Sequence, residues 1–136
     1  MRYHPVDGTA FFIFYSDLLK ERESNMESAK VYSEYCNGIL FFRLCGEVDH
    51  HSAPTVREQM DRDIYFFRPK TVILSLGGIE FMDSSGLGLI LGRYTKIRDL
   101  QGSMKIEDPS KEIEKILTLA GVDRLIPIVK TGKVGN

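Results

Sequence analysis

The amino-acid sequence predicts a single α/β domain, a mixed sheet of about five strands in the order ββαβαβαβ with helices packed against it. Three observations support this fold class. The chain has 136 residues, enough for one ordinary hydrophobic core. Asn37-Gly38, between two apolar runs, is a strong hairpin signal. After the hairpin, apolar runs alternate with segments of helical periodicity, so right-handed crossovers should make the later strands parallel.

The first two strands are predicted at 30–35 and 39–45, where aromatic and β-branched residues are frequent. A two-residue turn places Cys36 opposite Ile39. Cys45 then lies six positions further along the pair, at a distance of about 20 Å. The Cα atoms of a disulfide lie within about 7 Å of each other. The two cysteines are therefore expected to be free thiols, as is usual in the cytosol.

Three further strands are predicted. Residues 71–76 form an almost continuous apolar run, which is typical of a strand covered on both faces and predicts the middle of the sheet. Residues 77–82 are predicted to be a loop. Residues 104–107 form a brief strand, and 125–129 form the last one. Because Pro127 cannot donate a ladder hydrogen bond, the last strand is expected at a sheet edge.

Each of the three predicted helices has a start or stop signal. Ser52 can cap the first helix, and Pro54 lies in its first turn. Gly102 ends the second helix, and the third begins with Asp108 as N-cap and Pro109 at the first helical position. The predicted apolar faces are Val56, Met60 and Ile64 in the first helix, Leu87, Ile90, Leu91, Tyr94 and Ile97 in the second, and Ile113, Ile116, Leu117 and Ala120 in the third, which Gly121 ends.

Two polar loops are expected to meet at one edge of the sheet. Residues 46–51 follow the second strand, and residues 81–86 follow the third strand and open the second helix. The carboxyl ends of neighbouring parallel strands share one rim, where α/β proteins usually place their binding sites. In the second loop, one of Ser84 and Ser85 is expected to cap the helix through its hydroxyl.

The second helix contains three glycines, Gly86, Gly88 and Gly92. Each glycine inside a helix costs about 0.8–1 kcal/mol relative to alanine. A compensating reason is therefore expected, such as the close approach of a neighbouring backbone or of a partner.

Residues 81–94, FMDSSGLGLILGRY, together with residues 46–51, GEVDHH, resemble the STAS domain of bacterial anti-sigma factor antagonists. Within that family they are similar to the sporulation branch, which acts on sigma-F. The likeness extends from about Met26 to Val129. Members of this type usually continue into a fourth helix after the last strand, whereas the pattern here passes into a short tail, 131–136.

The resemblance implies a regulatory protein that is not an enzyme and uses no cofactor or metal. Its unmodified form binds an anti-sigma factor that is also a serine kinase, and so frees the sigma factor. The kinase then phosphorylates the antagonist, by position in the motif on Ser84, and a PP2C-type phosphatase restores it. The implied partner surface comprises Glu47, Asp49, His50, Asp83, Ser84, Ser85, Gly86 and Leu87.

Composition argues against other partners. Eighteen Lys and Arg against nineteen Asp and Glu give a net charge of -1, so no basic field exists to hold nucleic acid or an anionic membrane. The longest apolar run, 10–15, has six residues, whereas a membrane-spanning helix needs about 20. The first 25 residues also lack the pattern of a signal peptide. We therefore expect a cytoplasmic protein.

A nucleotide-binding enzyme is one alternative, because Gly86-x-Gly88 opens a helix after a strand. The third glycine, Gly92, falls four residues after the second, where the dinucleotide fingerprint requires three. Within the family, a stress-response or stressosome role is a further alternative. A transporter-attached domain is disfavoured, since the sequence has no membrane-spanning segment.

A serine hydrolase is a second enzyme alternative, but a serine at a helix start is not the strained nucleophile elbow of that class. A metal site is disfavoured, because adjacent histidines rarely converge on one ion and His4 lies in the N-terminal extension. The residues available to these sites would be Ser84 or Ser85 as nucleophile, His50 or His51 as base or ligand, and Asp49 or Asp83 as the orienting carboxylate.

Residues 1–25 have no counterpart in the family, and the domain is predicted at 26–130. We expect translation to begin at Met26, because residues 20–23, KERE, back-translate into a purine-rich run resembling a ribosome-binding site. Intact-mass measurement of the protein from its own cells should give a chain that lacks residues 1–25. A cellular protein that retains them would contradict this prediction.

Overall fold

The computed structural model describes residues 27–132. Their strands form one five-stranded sheet in the order β1-β2-β3-β4-β5. The first two strands are antiparallel, and the other neighbours are parallel. The fold class and the element order predicted from the sequence are confirmed. The predicted N-terminal extension, 1–25, lies outside the described residues.

The elements are β1 Lys30–Cys36, β2 Ile39–Val48, α1 Ala53–Phe67, β3 Thr71–Met82, α2 Ser84–Asp99, β4 Ser103–Glu107, α3 Lys111–Leu119, a 3₁₀ turn Val122–Arg124 and β5 Ile128–Val129.

The hairpin between β1 and β2 has the predicted register. Cys36 pairs with Ile39, and Lys30 pairs with Cys45 at the far end. Asn37 and the following glycine have φ values of 51° and 83°, both positive, as a two-residue type I′ turn requires. Both cysteines are free thiols.

One face of the sheet is packed and the other is open. Phe42 of β2 pairs in register with Leu74 of β3, which pairs with Ile106 of β4, and all three side chains are fully buried. Alternate residues such as Arg43 and Lys105 point to the other face and are exposed. The helices contribute to the same core, with these buried residues from α1, α2 and α3: Val56, Met60, Ile64, Leu89, Ile90, Ile97, Ile113 and Leu117.

The central strand β3 is twice as long as predicted. Residues 77–82 were predicted to form a loop, but they continue the strand, with Gly78 beside Cys45 and Met82 beside Val48 of β2. Two register shifts accommodate this extension, each with one extra residue in β3 relative to β2. A Cβ at Gly78 would lie 2.6 Å from the Cβ of Cys45. The glycine that suggests a loop in the sequence therefore permits a close approach between strands.

The apolar face of α2 also differs from the prediction. Leu87, Leu91 and Tyr94 pack against the core but are only half-buried, whereas Leu89 and Arg93 are buried. The difference arises because the buried stripe includes Arg93, a charged residue that does not contribute to an apolar periodicity.

Helix ends differ from the prediction as well. After α2 the left-handed residue is Gln101 (φ 65°), and not the predicted Gly102. Ser110, and not Asp108, caps α3, since its hydroxyl accepts a hydrogen bond from the amide of Ile113 at 3.2 Å. Asp108 instead accepts hydrogen bonds from the amide and hydroxyl of Thr131, at 2.8 and 2.6 Å.

The end of the domain agrees with the prediction only in part. Ala120, predicted on the apolar face of α3, is exposed. The last strand is reduced to Ile128–Val129, because the amides of Leu125 and Ile126 donate to the carbonyl of Val122 in the preceding 3₁₀ turn. It lies at the sheet edge and directly follows Pro127, as the missing amide donor requires.

Gly46 is predicted to be intolerant of substitution. Its φ is +93°, and a Cβ there would lie 2.7 Å from the carbonyl oxygen of Ser28. Gly46→Ala should lower the free energy of unfolding by about 1–3 kcal/mol because of backbone strain and this contact. Gly88→Ala is the matched control: a Cβ there meets nothing within 4 Å, so the variant should gain about 0.8–1 kcal/mol. Urea denaturation measures both, and equal stability of the two variants would contradict the prediction.

Candidate functional site

The two polar loops lie side by side, and we call their shared edge of the sheet, residues 46–52 and 80–88, the serine rim. Val48 and Met82 are paired residues at the ends of β2 and β3. The pairing continues for one more bond, because the amide of Asp83 donates to the carbonyl of Val48 at 3.2 Å. The parallel strands therefore bring together the residues that the sequence pattern assigned to one edge.

The loop after β2 is held by its own side chains. The carboxylate of Asp49 accepts hydrogen bonds from the amides of His51 and Ser52, at 2.9 and 3.0 Å. The hydroxyl of Ser52 accepts from the amide of Asp49 at 3.1 Å and donates to the carbonyl of Glu47 at 3.0 Å. Ser52 was predicted to cap α1, but its hydroxyl bonds within the loop and to no helix amide.

The Asp49 carboxyl is ionised at neutral pH, and its hydrogen bonds are made within this loop. The backbone amide of Ser52 is the main cause that lowers the pKa of the Asp49 carboxyl, with a smaller contribution from the amide of His51, while desolvation opposes them. A lowered pKa in the folded state means that this carboxylate stabilises the fold above its ordinary pKa of 3.8. Its stabilisation is lost as the pH falls through the lower value. Asp49 therefore shapes the rim as well as charging it.

Asp83 caps α2. It has the extended backbone of an N-cap residue, and its carboxylate accepts a hydrogen bond from the amide of Ser85 at 2.8 Å. Capping by a serine hydroxyl was predicted and is wrong, because Ser84 and Ser85 already belong to the helix. As a result the side chain of Ser84 is exposed and its hydroxyl has no capping role.

The three helix glycines have different surroundings. Gly86 is buried, and a Cβ there would overlap the side chain of Met82. This glycine therefore allows the first turn of α2 to pack on the end of β3. A Cβ at Gly88 or Gly92 would meet nothing within 4 Å. The reason for these two glycines does not lie in the packing of the described residues.

The serine rim is acidic. Glu47 and Asp83 are half-buried and Glu80 is exposed, and there is no Lys or Arg in residues 44–56 or 71–92. Phe81 pairs with Glu47 and is 50% exposed. Phe81 is not among the site residues predicted from the sequence. The signal was available, because Met82 is apolar at the next position and only one of two successive strand residues can face the core.

The rings of His50 and His51 are exposed and lie 4.0 Å apart. Over residues 27–132, no hydrogen bond links either ring to Ser84, and Asp49 bonds to backbone amides instead of orienting a histidine. The arrangement needed for a serine hydrolase is therefore not assembled at this rim.

Within residues 27–132, no three His, Cys, Asp or Glu residues are grouped to hold a metal ion. None of the described helices has the length and hydropathy to cross a bilayer.

The structure is thus a single α/β domain with a mixed sheet, whose rim presents an exposed serine in the first turn of a helix. The sequence profile of the STAS domain matches residues 33–133. An anti-sigma F factor antagonist of Paenibacillus polymyxa is 40% identical over 99 residues, which make up 73% of this chain and 85% of the relative. The chain therefore belongs to the STAS-domain family, and the resemblance inferred from residues 81–94 is confirmed.

Two solved structures share the fold at 27% sequence identity. The anti-sigma factor antagonist SpoIIAA in its unphosphorylated form gives a TM-score of 0.66 and covers 76% of this chain and 89% of that one. The Bacillus cell fate determinant SpoIIAA in its phosphorylated form gives a TM-score of 0.61, with coverages of 76% and 92%.

The capping assignment at α2 can be tested by substitution. Asp83→Ala should lower the free energy of unfolding by about 0.5–2 kcal/mol, because the amide of Ser85 loses its acceptor. Asp83→Asn, which keeps an acceptor oxygen, should recover most of that loss. Ser85→Ala should stay within about 0.5 kcal/mol of the parent. Thermal and urea denaturation measure all three, and a loss at Ser85 that equals the loss at Asp83 would restore the serine as the cap.

Proposed function

We propose that this protein is an anti-sigma factor antagonist of the sporulation type, switched by phosphorylation of Ser84. Unmodified, it binds an anti-sigma factor that is also a serine kinase, and so frees a sigma factor. The kinase phosphorylates Ser84 and the complex dissociates, and a PP2C-type phosphatase returns the serine to its original state. The observation that carries this proposal is the exposed Ser84 side chain in the first turn of α2, whose capping is done by its neighbour Asp83.

Similarity to known proteins supports the same assignment. The Paenibacillus relative is named for antagonism of an anti-sigma F factor. SpoIIAA has been solved with and without its phosphate, and both forms share this fold. A phosphate that leaves the fold of a relative unchanged is consistent with a switch that acts on partner binding.

The proposed partner surface divides by exposure. Glu47, His50, Ser84 and Leu87 are exposed or half-buried at the rim, and we assign them to direct contact. Asp49, Asp83 and the amide of Ser85 are engaged in local hydrogen bonds, and Gly86 is buried, so these residues shape the surface.

A phosphate on Ser84 would be tolerated by the free domain. It carries close to two negative charges at neutral pH, and a helix N-terminus with its free amides and dipole favours an anion. The same dianion adds to an acidic rim that contains Glu47, Glu80 and Asp83. Docking a partner would then desolvate a dianion among like charges.

The size of this effect is sufficient for a switch. Leaving one buried charge without a counter-charge costs about 3–5 kcal/mol. At about 1.4 kcal/mol for each factor of ten, affinity should fall roughly a hundred- to several-thousand-fold.

The proposal predicts that Ser84→Asp melts within a few degrees of the parent and binds the anti-sigma factor much more weakly, while Ser84→Ala binds and resists phosphorylation. Thr95→Asp is the control: it adds the same charge to an exposed position of α2, about 16 Å further along the helix axis. Its binding should remain close to that of the parent. Calorimetric titration, thermal melting and phosphopeptide mapping provide the readouts. A modification on Ser85, or a Ser84→Asp variant that loses stability and keeps its affinity, would contradict the proposal.

A further inference from the structure

A buried ion pair joins α1 and α2 below the serine rim. The side chain of Arg93 is 4% exposed, and its Nε lies 2.8 Å from Oδ1 of Asp61, which is 23% exposed. Burial lowers the pKa of the Arg93 guanidinium, and the charge of Asp61 opposes this. The Nε–H bond does not point along the line to the carboxylate oxygen, and Nη1 has no hydrogen-bond partner in the described part of the chain.

Stability alone does not account for this pair. Arginine is rarely buried unless paired, and a buried polar nitrogen without a partner is destabilising. Replacing a buried ion pair by well-packed apolar side chains is often neutral or stabilising. The nearby helix positions Ile90, Ile97 and Met60 are apolar and buried, while Arg57 and Tyr65 also lie close enough to Arg93 to act on its charge. A contribution to geometry is the alternative explanation for a charge at this position.

Asp61 and Arg93 lie at similar distances from the serine rim. Each is on one of the two helices that begin at the rim. The amide of Ala53, the first residue of α1, donates to the carbonyl of Asp49 at 2.9 Å, so the loop after β2 leads directly into the helix. Asp61 is eight residues further on, about 12 Å along the axis. Arg93 is nine residues after Ser84, about 14 Å along α2.

An ion pair differs from apolar packing because its energy depends on the distance between two charged groups. Apolar burial depends on area and leaves two packed helices free to slide slightly along each other. The attraction between two charges at 2.8 Å weakens as the helices slide and the charges separate, and it is stronger where solvent is largely excluded. One turn further from the rim, Nζ of Lys96 donates to the hydroxyl of Tyr65 at 3.2 Å, but this contact is exposed to solvent and so constrains the helices less.

We propose that Arg93 and Asp61 are positioning residues that hold α1 and α2 in one axial register and thereby set Ser84 relative to the loop at 46–52. The pair acts on the serine rim through the two helix axes and touches no partner. Its effect on binding rests on the function proposed above, whereas its effect on the geometry of the rim can be measured in the free domain.

The test replaces the pair by apolar residues. The double variant Arg93→Met with Asp61→Leu should melt at or above the temperature of the parent. Its backbone amide shifts should change at 48–52 and 84–87, and its affinity for the anti-sigma factor should fall by about tenfold or more. The control pair is Lys96→Met with Tyr65→Phe, which should leave both readouts unchanged.

Arg93→Lys provides a second route if the double variant folds poorly, because lysine keeps the charge and loses the planar fork. It should produce the same shift changes with a smaller loss of affinity. A stable double variant with parental shifts and parental affinity would overturn the inference and leave a purely structural pair. A parent protein that binds no anti-sigma factor would instead refute the proposed function, while the amide shifts would still decide the role of Arg93.

Discussion

The parallel pairing of β2 with β3 determines where the rest of the domain lies. It runs from Ile39 beside Thr71 to Val48 beside Met82, and the hydrogen bond from Asp83 to Val48 extends it to the start of α2. Both helices that flank the serine rim leave the sheet from adjacent points. Their placement follows from strand register, because a shift of one residue would turn every buried side chain of a strand to the open face.

Several features of the fold could be predicted from the sequence, because they depend on local chemistry. The Asn-Gly turn set the hairpin register, and with it the separation of Cys36 from Cys45, because only one pairing suits a two-residue loop. The apolar run at 71–76 and the position of Pro127 placed the centre and the edge of the sheet for equally direct reasons. Each of these predictions depends on one residue type and its immediate neighbours.

Other features depend on contacts between distant segments, and sequence reasoning missed them. Gly77 and Gly78 read as a loop, but the close approach of Cys45 makes glycine necessary within a strand. The predicted apolar face of α2 omits Arg93, but the folded chain buries it, and Asp61, 32 positions earlier, balances its charge. The capping of α2 was assigned to the wrong side chain because Asp83, Ser84 and Ser85 are all good N-cap residues. Only the backbone angles of the folded chain distinguish them.

The division of roles between Asp83 and Ser84 affects how quickly such a surface could alternate between two chemical states. A capping serine would have to give up its bond to the helix whenever its oxygen reacted, and the first turn would fray and re-form in every cycle. Here the cap belongs to a carboxylate that stays bonded to the amide of Ser85. Attaching or removing a group at the neighbouring hydroxyl then requires no rearrangement of the main chain. Under the proposed function, the duration of each state would be set by the turnover of the kinase and the phosphatase, and not by the folding kinetics of this domain.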